Sequence, residues 1–258
     1  MTGPDGEEAS ALLRRLPGVR AVDLELVDAR LLTPRVRRLR FTGGGLDGLR
    51  AVAGQDLMVA VPASGRTHFR RRYTIRRLAP DVPAVDLDIV LHGEGPGARW
   101  AAAATVGARV EAIGPRGKIG LAEDASWHLF VGDESALPAI FSMIEALPSG
   151  AAALAVLEVA GADEQQQLEG SRCDVALRWL HRTSAPGTGT LLADEIAGLP
   201  LPRGHGHAYV FGELRQVAAA RAGLIARGVD PEDIDHKAYW RLGVANAAHG
   251  EPPRPEPA

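Results

Sequence analysis

The amino-acid sequence predicts two domains of different class, an antiparallel β-barrel or sandwich followed by an open, mostly parallel α/β sheet. Three observations carry that prediction. With 258 residues the chain exceeds a single core, because domains usually hold roughly 100–150 residues. From Arg20 to about Ile113, short β-type runs are broken by turn residues, as in barrels and sandwiches. Beyond Leu121–Ser126, apolar runs alternate with helical ones, the mark of βαβ units.

The elements follow in order. Residues 1–17 read as an N-terminal extension, 18–122 as the barrel, 123–245 as the α/β domain, and 246–258, rich in Pro and Glu, as a disordered tail. In the barrel, Val22–Val27 alternates apolar and polar side chains, and Val36–Phe41 follows Thr33-Pro34. Gly43-Gly44-Gly45 marks a loop, and Asp56–Val61 and Tyr73–Ile75 are further strands. Val85–Leu91 alternates over its whole length, and Arg109–Ile113 closes the series. In the second domain, strands are expected at Trp127–Val131, Leu154–Val159, Val175–Leu180 and His207–Phe211. Helices are expected at Ala136–Leu147 and, in amphipathic form, at Leu214–Arg227.

Composition narrows the function classes. Hydrophobic residues make up 46% and charged residues 24%, ordinary values for a globular protein. A formal net charge of −3 excludes a globally basic nucleic-acid binder. The single cysteine, Cys173, can form neither an internal disulfide nor a cysteine-based metal site, and it reads as a buried structural thiol. No apolar run approaches the roughly 20 residues that span a bilayer, and the acidic, polar start does not read as a signal peptide. A cytoplasmic monomer without membrane or nucleic-acid partners is the expectation.

Four segments carry chemistry. In Arg71-Arg72-Tyr73-Thr74-Ile75-Arg76, strand alternation puts Arg71, Tyr73 and Ile75 on one side and Arg72, Thr74 and Arg76 on the other. An arginine beside an aromatic ring suits a planar ligand bearing phosphate; a solvated strand face would show the same alternation. His92-Gly93-Glu94-Gly95-Pro96-Gly97 joins the strongest strand to the helical run Ala98–Ala104. Glycines let the backbone approach a ligand, and the helix start favours an anion. The spacing matches neither a dinucleotide fingerprint nor a P-loop, and a plain strand-to-helix turn is the rival reading. Gly114-Pro115-Arg116-Gly117 reads as a turn. Gly132-Asp133-Glu134-Ser135-Ala136-Leu137-Pro138 is again strand, turn and helix, with Ser135 as N-cap and Pro138 in the first turn. Ligands of open α/β sheets bind at such carboxyl ends; a structural cap without ligand is the alternative. His205-Gly206-His207 lacks a third ligand and reads as loop and strand histidines.

In this order the segments resemble the siderophore-interacting protein family, a branch of the ferredoxin-reductase-like flavoproteins. The resemblance runs from about Val19 to Gly243 and includes Thr33-Pro34-Arg35 with Arg38, Gly54-Gln55, Arg71 with Tyr73-Thr74, and His92-Gly93 with Gly95-Pro96. It continues through Arg99-Trp100-Ala101, Gly114–Gly117, Gly132–Ala139, Gly212-Glu213 and Tyr239-Trp240-Arg241 with Gly243. The resemblance implies an FAD-binding antiparallel barrel followed by a domain that binds NADPH or NADH. Arg71 would hold the FAD phosphates, Tyr73 would pack on the isoalloxazine, and Thr74 would lie near its N5 edge. His92 to Arg99, with Gly95, Gly97 and Ala98, would wrap the pyrophosphate, with Trp100 in the same helix. Gly132, Asp133, Glu134 and Ser135 would border the nicotinamide nucleotide, and Gly212-Glu213 would lie by its junction with the flavin. Trp240, after Tyr239, would return the chain towards the flavin. Phe211 departs from the family, where the residue before Gly212-Glu213 is usually small, and it would narrow the nicotinamide approach.

The activity the resemblance implies is reduction of siderophore-chelated iron(III), with hydride from a nicotinamide, transfer through flavin, and release of iron(II). Arg35, Lys237 and Arg241, beside family motifs, are candidates for a basic surface that captures an anionic ferric siderophore. No protein metal site is expected, since the iron brings its own ligands. A ferredoxin donor is a variant of this reading. The alternatives are a flavoprotein of a biosynthetic cluster acting on an organic substrate, and a non-catalytic ferric-siderophore-binding flavoprotein. Glu158, ending a strand, and Arg172 beyond it are not placed by sequence in any 2′-phosphate pocket.

Overall fold

The computed structural model describes residues 19–62, 68–79, 82–93 and 95–244. The expected extension 1–17 and tail 246–258 lie outside the described residues, as does Glu94. Two compact units result, Met1–Gly120 with Phe141–Met143, and Leu121–Ile140 with Ile144–Ala258.

The first unit is a seven-stranded antiparallel sheet of order β4-β3-β7-β1-β2-β6-β5. Its strands are β1 (Arg20–Thr33), β2 (Val36–Thr42), β3 (Asp56–Pro62), β4 (His68–Thr74), β5 (Arg77–Leu78), β6 (Ala84–Val90) and β7 (Arg109–Arg116). Edge strand β4 approaches β6, so the sheet curls into a half-barrel around Leu24, Leu26, Leu39, Phe41, Leu57, Val59 and Leu87. Helix α1 (Pro96–Ala103) packs against β2, β3, β4 and β6. Strand β6 alternates apolar and polar side chains, and its polar residues Asp86 and Asp88 are only 2% and 5% exposed. Antiparallel pairing with β2 sets Arg40 opposite Asp86 and Arg38 opposite Asp88. Arg38 donates to both Asp88 oxygens at 2.6 and 2.8 Å, and Arg40 to both Asp86 oxygens at 2.7 Å. The polar face is therefore a layer of forked ion pairs, the geometry that makes a buried carboxylate tolerable.

Gly114-Pro115-Arg116 is not a turn. Strand β7 runs through it, pairing Gly114 with Arg20 and Arg116 with Asp56. Glycine is needed there because a Cβ on Gly114 would lie 2.9 Å from the Asp56 backbone oxygen, which the β3 pairing holds in place.

The second unit is a five-stranded parallel sheet of order β10-β9-β8-β11-β12. Its strands are β8 (Trp127–Asp133), β9 (Ala152–Val159), β10 (Asp174–His181), β11 (Gly206–Glu213) and β12 (Ile234–Trp240). Helices α2 (Leu137–Ala146), α3 (Leu191–Gly198) and α4 (Leu214–Ala226) connect them. Sequence periodicity missed both β12 and α3. Leu129, Val131, Val156, Ala208 and Val210 form one core with Leu192, Ile196, Val217 and Leu224. Strand order reverses between β8 and β11, so the turns after these strands flank the crevice where open α/β sheets take ligands.

Candidate functional site

In the first unit, β3 dictates the site. Val59 pairs with Arg71 and Leu57 with Tyr73, so Arg71 and Tyr73 share the face of the buried Leu57 and Val59. Arg72, on the other face, donates to Asp56 at 2.5 and 2.9 Å. Helix α1 seats its first turn on the Arg71–Tyr73 face. A Cβ on Gly97 would lie 2.5 Å from the Tyr73 hydroxyl and 3.3 Å from Arg71 Cγ, so only glycine permits this approach. One turn on, Trp100 stacks against Tyr73 at 6.0 Å and Phe41 at 6.4 Å. Arg37 Nη1 donates to the Ala101 and Ala102 carbonyls at 2.7 Å, closing the far end of the helix.

At the near end, Gly95 occupies the N-cap position without a side-chain cap, and the first turn holds no acidic residue. Uncapped N–H groups, a helix N-terminus and Arg71 in one place suit a phosphate. Burial lowers the Arg71 pKa, with Tyr73 opposing, but arginine keeps its charge. Burial pushes the Tyr73 phenol well above its ordinary range, so it is a neutral donor. The chemistry of this donor set fits the pyrophosphate and ring system of FAD. Thr74 is buried at the end of β4. His92, Gly93 and Arg99 are exposed around the start of α1, and Ala98 is half-buried.

In the second unit the ends of β8 and β11 converge. Asp133 is buried, and its Oδ1 accepts from the Ser135 N–H at 2.9 Å and hydroxyl at 2.5 Å. Its Oδ2 accepts from Glu213 N–H at 2.9 Å and Trp240 Nε1 at 2.8 Å. Burial raises the Asp133 pKa, and the Ser135 and Trp240 bonds oppose that. Ser135 is thus not the N-cap of α2. Ala136 holds that position without a side-chain cap, because the Ser135 hydroxyl is turned to Asp133. Pro138 does lie in the first turn of α2. Glu213 caps α4, accepting from Arg215 and Gln216 N–H at 2.5 and 3.2 Å, and its Oε1 accepts from Leu242 N–H at 3.2 Å. Gly212, with φ 135°, would carry a Cβ 2.7 Å from Asp133 Oδ2, and one on Gly132 would lie 2.7 Å from Ala136 Cβ.

Sequence reasoning missed Arg182 and Gln216. Arg182, just past β10, forks onto Glu134 and lies 3.9 Å from Glu158. Gln216 Nε2 donates to Glu158 at 3.1 Å. Burial works against the Arg182 charge, but Glu134 and Glu158 outweigh it and raise its pKa. Burial also raises the Glu158 pKa. The sequence signal for Arg182 is its position at the carboxyl end of a predicted strand; Arg172 has no such place.

The expected basic surface is corrected at Lys237. That residue is 6% exposed, stands opposite Phe211 in the sheet, and holds its ammonium 5.6 Å over the Tyr239 ring. Alternation in β12 turns it to the aromatic face of the sheet. Arg35, in the turn between β1 and β2, and Arg241, just past β12, are exposed. Phe211 lies buried and stacked on Tyr239 at 5.6 Å. Cys173 is half-buried rather than buried, 3.2 Å from the Ser171 hydroxyl. His205 and His207 face carboxylates, Asp233 at 3.0 Å and Asp235 at 3.1 Å.

A curled antiparallel sheet with a glycine-seated helix start beside Arg71, followed by a parallel sheet whose strand order reverses between β8 and β11, defines the ferredoxin-reductase-like class of flavoprotein folds. The family model "Siderophore-interacting FAD-binding domain" matches residues 55–119, and "Siderophore-interacting protein" matches residues 125–243. The chain belongs to the siderophore-interacting protein family. It is 35% identical to the ferric vibriobactin reductase ViuB of Vibrio cholerae over 189 residues, 70% of this chain and 68% of ViuB. It is 27% identical to the NADPH-dependent ferric-chelate reductase of Escherichia coli, over 60% of this chain and 59% of that protein. A siderophore utilization protein from T. fusca superposes with a TM-score of 0.83 at 32% identity, covering 91% of this chain and 98% of that one.

Proposed function

We propose that the protein is an FAD-dependent oxidoreductase that passes electrons from NADPH or NADH to iron(III) held by a siderophore. The observation that carries this reading is the seating of Gly97 on Arg71 and Tyr73, which joins a basic strand to an uncapped helix start. There Arg71 and the Gly95–Ala98 backbone would hold the diphosphate, Tyr73 and Trp100 would flank the ring system, and Thr74, at the end of β4, would face the flavin. Bound FAD supplies the redox chemistry, accepting a hydride and releasing electrons singly. The protein's part is to position and shield, so no protein base is required. Gly132, Asp133, Ser135 and Gly212-Glu213 line the crevice for the nicotinamide nucleotide, and exposed Arg35 and Arg241 offer charge to an anionic ferric chelate.

The names of the relatives support the acceptor class, since both are ferric reductases. The test is anaerobic stopped-flow of the yellow protein with NADH, NADPH and a panel of ferric siderophores. Bleaching by a nucleotide, followed by reoxidation with iron(II) release, is the expected sequence. Bleaching without iron release would turn the reading to an organic substrate. Stable binding of ferric siderophore without any turnover would turn it to a carrier.

A further inference from the structure

Along the carboxyl edge of the parallel sheet, the strand order β10-β9-β8-β11 sets an arginine beside a row of carboxylates. Arg182 follows β10, Glu158 is next to last in β9, and Asp133 and Glu213 end β8 and β11. Asp133 stands directly opposite Glu158 in the register of β8 and β9. In doubly wound sheets an acid near the end of the second strand takes the ribose 2′-hydroxyl of NAD, and an arginine nearby accommodates the 2′-phosphate of NADP. This chain carries both residue types there, so residue type alone does not choose between the nucleotides.

The contacts do choose. The Arg182 guanidinium forks onto both carboxylate oxygens of Glu134, in the turn after β8, and its Nη1 lies 3.9 Å from Glu158 Oε1. The Arg182 side chain is 4% exposed and that of Glu158 1%. A 2′-phosphate would reach this guanidinium only by displacing Glu134, leaving a carboxylate and a phosphate dianion side by side. Like charges so placed reject a ligand. Gln216, beside Glu158, adds a second preference. Its Nε2 donates to Glu158 at 3.1 Å, while its Oε1 has no hydrogen-bond partner on a residue only 5% exposed. An unsatisfied acceptor suits a ligand that brings a hydroxyl donor, whereas an ionised phosphate brings acceptors only.

We propose that the crevice selects NADH over NADPH, and that Glu134 sets the choice by keeping Arg182 from a 2′-phosphate. The inference rests on the reading that this crevice takes a nicotinamide nucleotide.

The experiment is calorimetric titration of the FAD-loaded full chain with NAD+ and NADP+, which leave oxidised flavin unreduced. NAD+ should bind more tightly by about tenfold or more, the size of one lost charge-assisted contact. Glu134→Gln keeps the shape of the side chain, removes its charge and releases Arg182. The preference should then fall by about tenfold or more, mainly through tighter NADP+. Should that variant fail to fold, the salt dependence of the wild type decides. The two nucleotides share their diphosphate, so the ratio of their affinities isolates the 2′-phosphate. Repulsion by carboxylates is screened by salt, and added salt should therefore shrink the preference for NAD+. Equal affinities, or tighter NADP+, overturn the proposal and leave the nucleotide reading standing. A preference that Glu134→Gln does not lower, or, where salt decides, one that does not shrink, overturns the role of Glu134. No binding of either nucleotide by the wild type overturns the nucleotide reading, and the selection with it.

Discussion

One methyl group at Gly97 tests the cofactor reading. Gly97 is the second residue of α1, and alanine is better than glycine in a helix by about 0.5–1 kcal/mol. Against that stands the 2.5 Å between the added Cβ and the Tyr73 hydroxyl. Relief to an ordinary carbon–oxygen contact of about 3.5 Å needs a shift of about 1 Å, and overpacking of this kind costs about 1–3 kcal/mol. In the apoprotein the two terms partly cancel, so Gly97→Ala should melt within about 5 °C of wild type. The geometry does not cancel. A shift of about 1 Å takes a phosphate bond from good to broken, and one charge-assisted bond is worth about 1.5–3 kcal/mol. FAD should therefore bind about tenfold or more weakly. The assay is a fluorescence titration of apoprotein with FAD, paired with calorimetric melting. Wild-type FAD affinity together with a raised Tm would refute the placement of the cradle at Gly97.

Arg71→Ala should weaken FAD about tenfold or more, and Arg71→Lys should recover only part, since the fork is lost while the charge stays; a dialysed Arg71→Ala protein that stays fully yellow would contradict this. Asp88→Asn leaves Arg38 and Arg76, both 3% exposed, facing a neutral amide. A cost of about 3–5 kcal/mol and a fall in Tm of roughly 10 °C are expected, and a fall under about 3 °C would show the pair to be dispensable. Burial and the nearby His207 lower the His128 pKa, so the folded state prefers its neutral form. Its contribution is complete above the unfolded value of about 6.5 and is lost as pH falls below it. His128→Phe should accordingly flatten the fall in urea midpoint between about pH 7.5 and 5.5; parallel slopes in the two proteins would refute the assignment.

Much of the fold and part of the candidate site lay in local pattern. Strand period two set Arg71 and Tyr73 on one face and Arg72 on the other, and the structure keeps that division, with Arg72 on Asp56. Turn and glycine chemistry marked the start of α1. The same local logic failed where a distant partner changes what a residue faces. Asp86 and Asp88 fall at the polar positions of an alternating strand, which does not say what covers them; arginines from β2 do. Lys237 read as surface charge, but pairing with β11 sets it against an aromatic ring. Gly114–Arg116 read as a turn, but β1 and β3 hold it as strand. Ser135 read as a cap, but Asp133 takes its hydroxyl.

By itself, then, the amino-acid sequence determined the two fold classes, the strand carrying Arg71 and Tyr73, and the glycine-rich helix start. Those follow from backbone periodicity and turn sterics, which act over a few residues. Only the tertiary structure decided that β12 joins the sheet, that Arg182 pairs with Glu134, and that Trp240 reaches Asp133 across 107 positions of chain. Hydrogen bonding and desolvation depend on which remote group covers a side chain, and that is settled when the sheet order is.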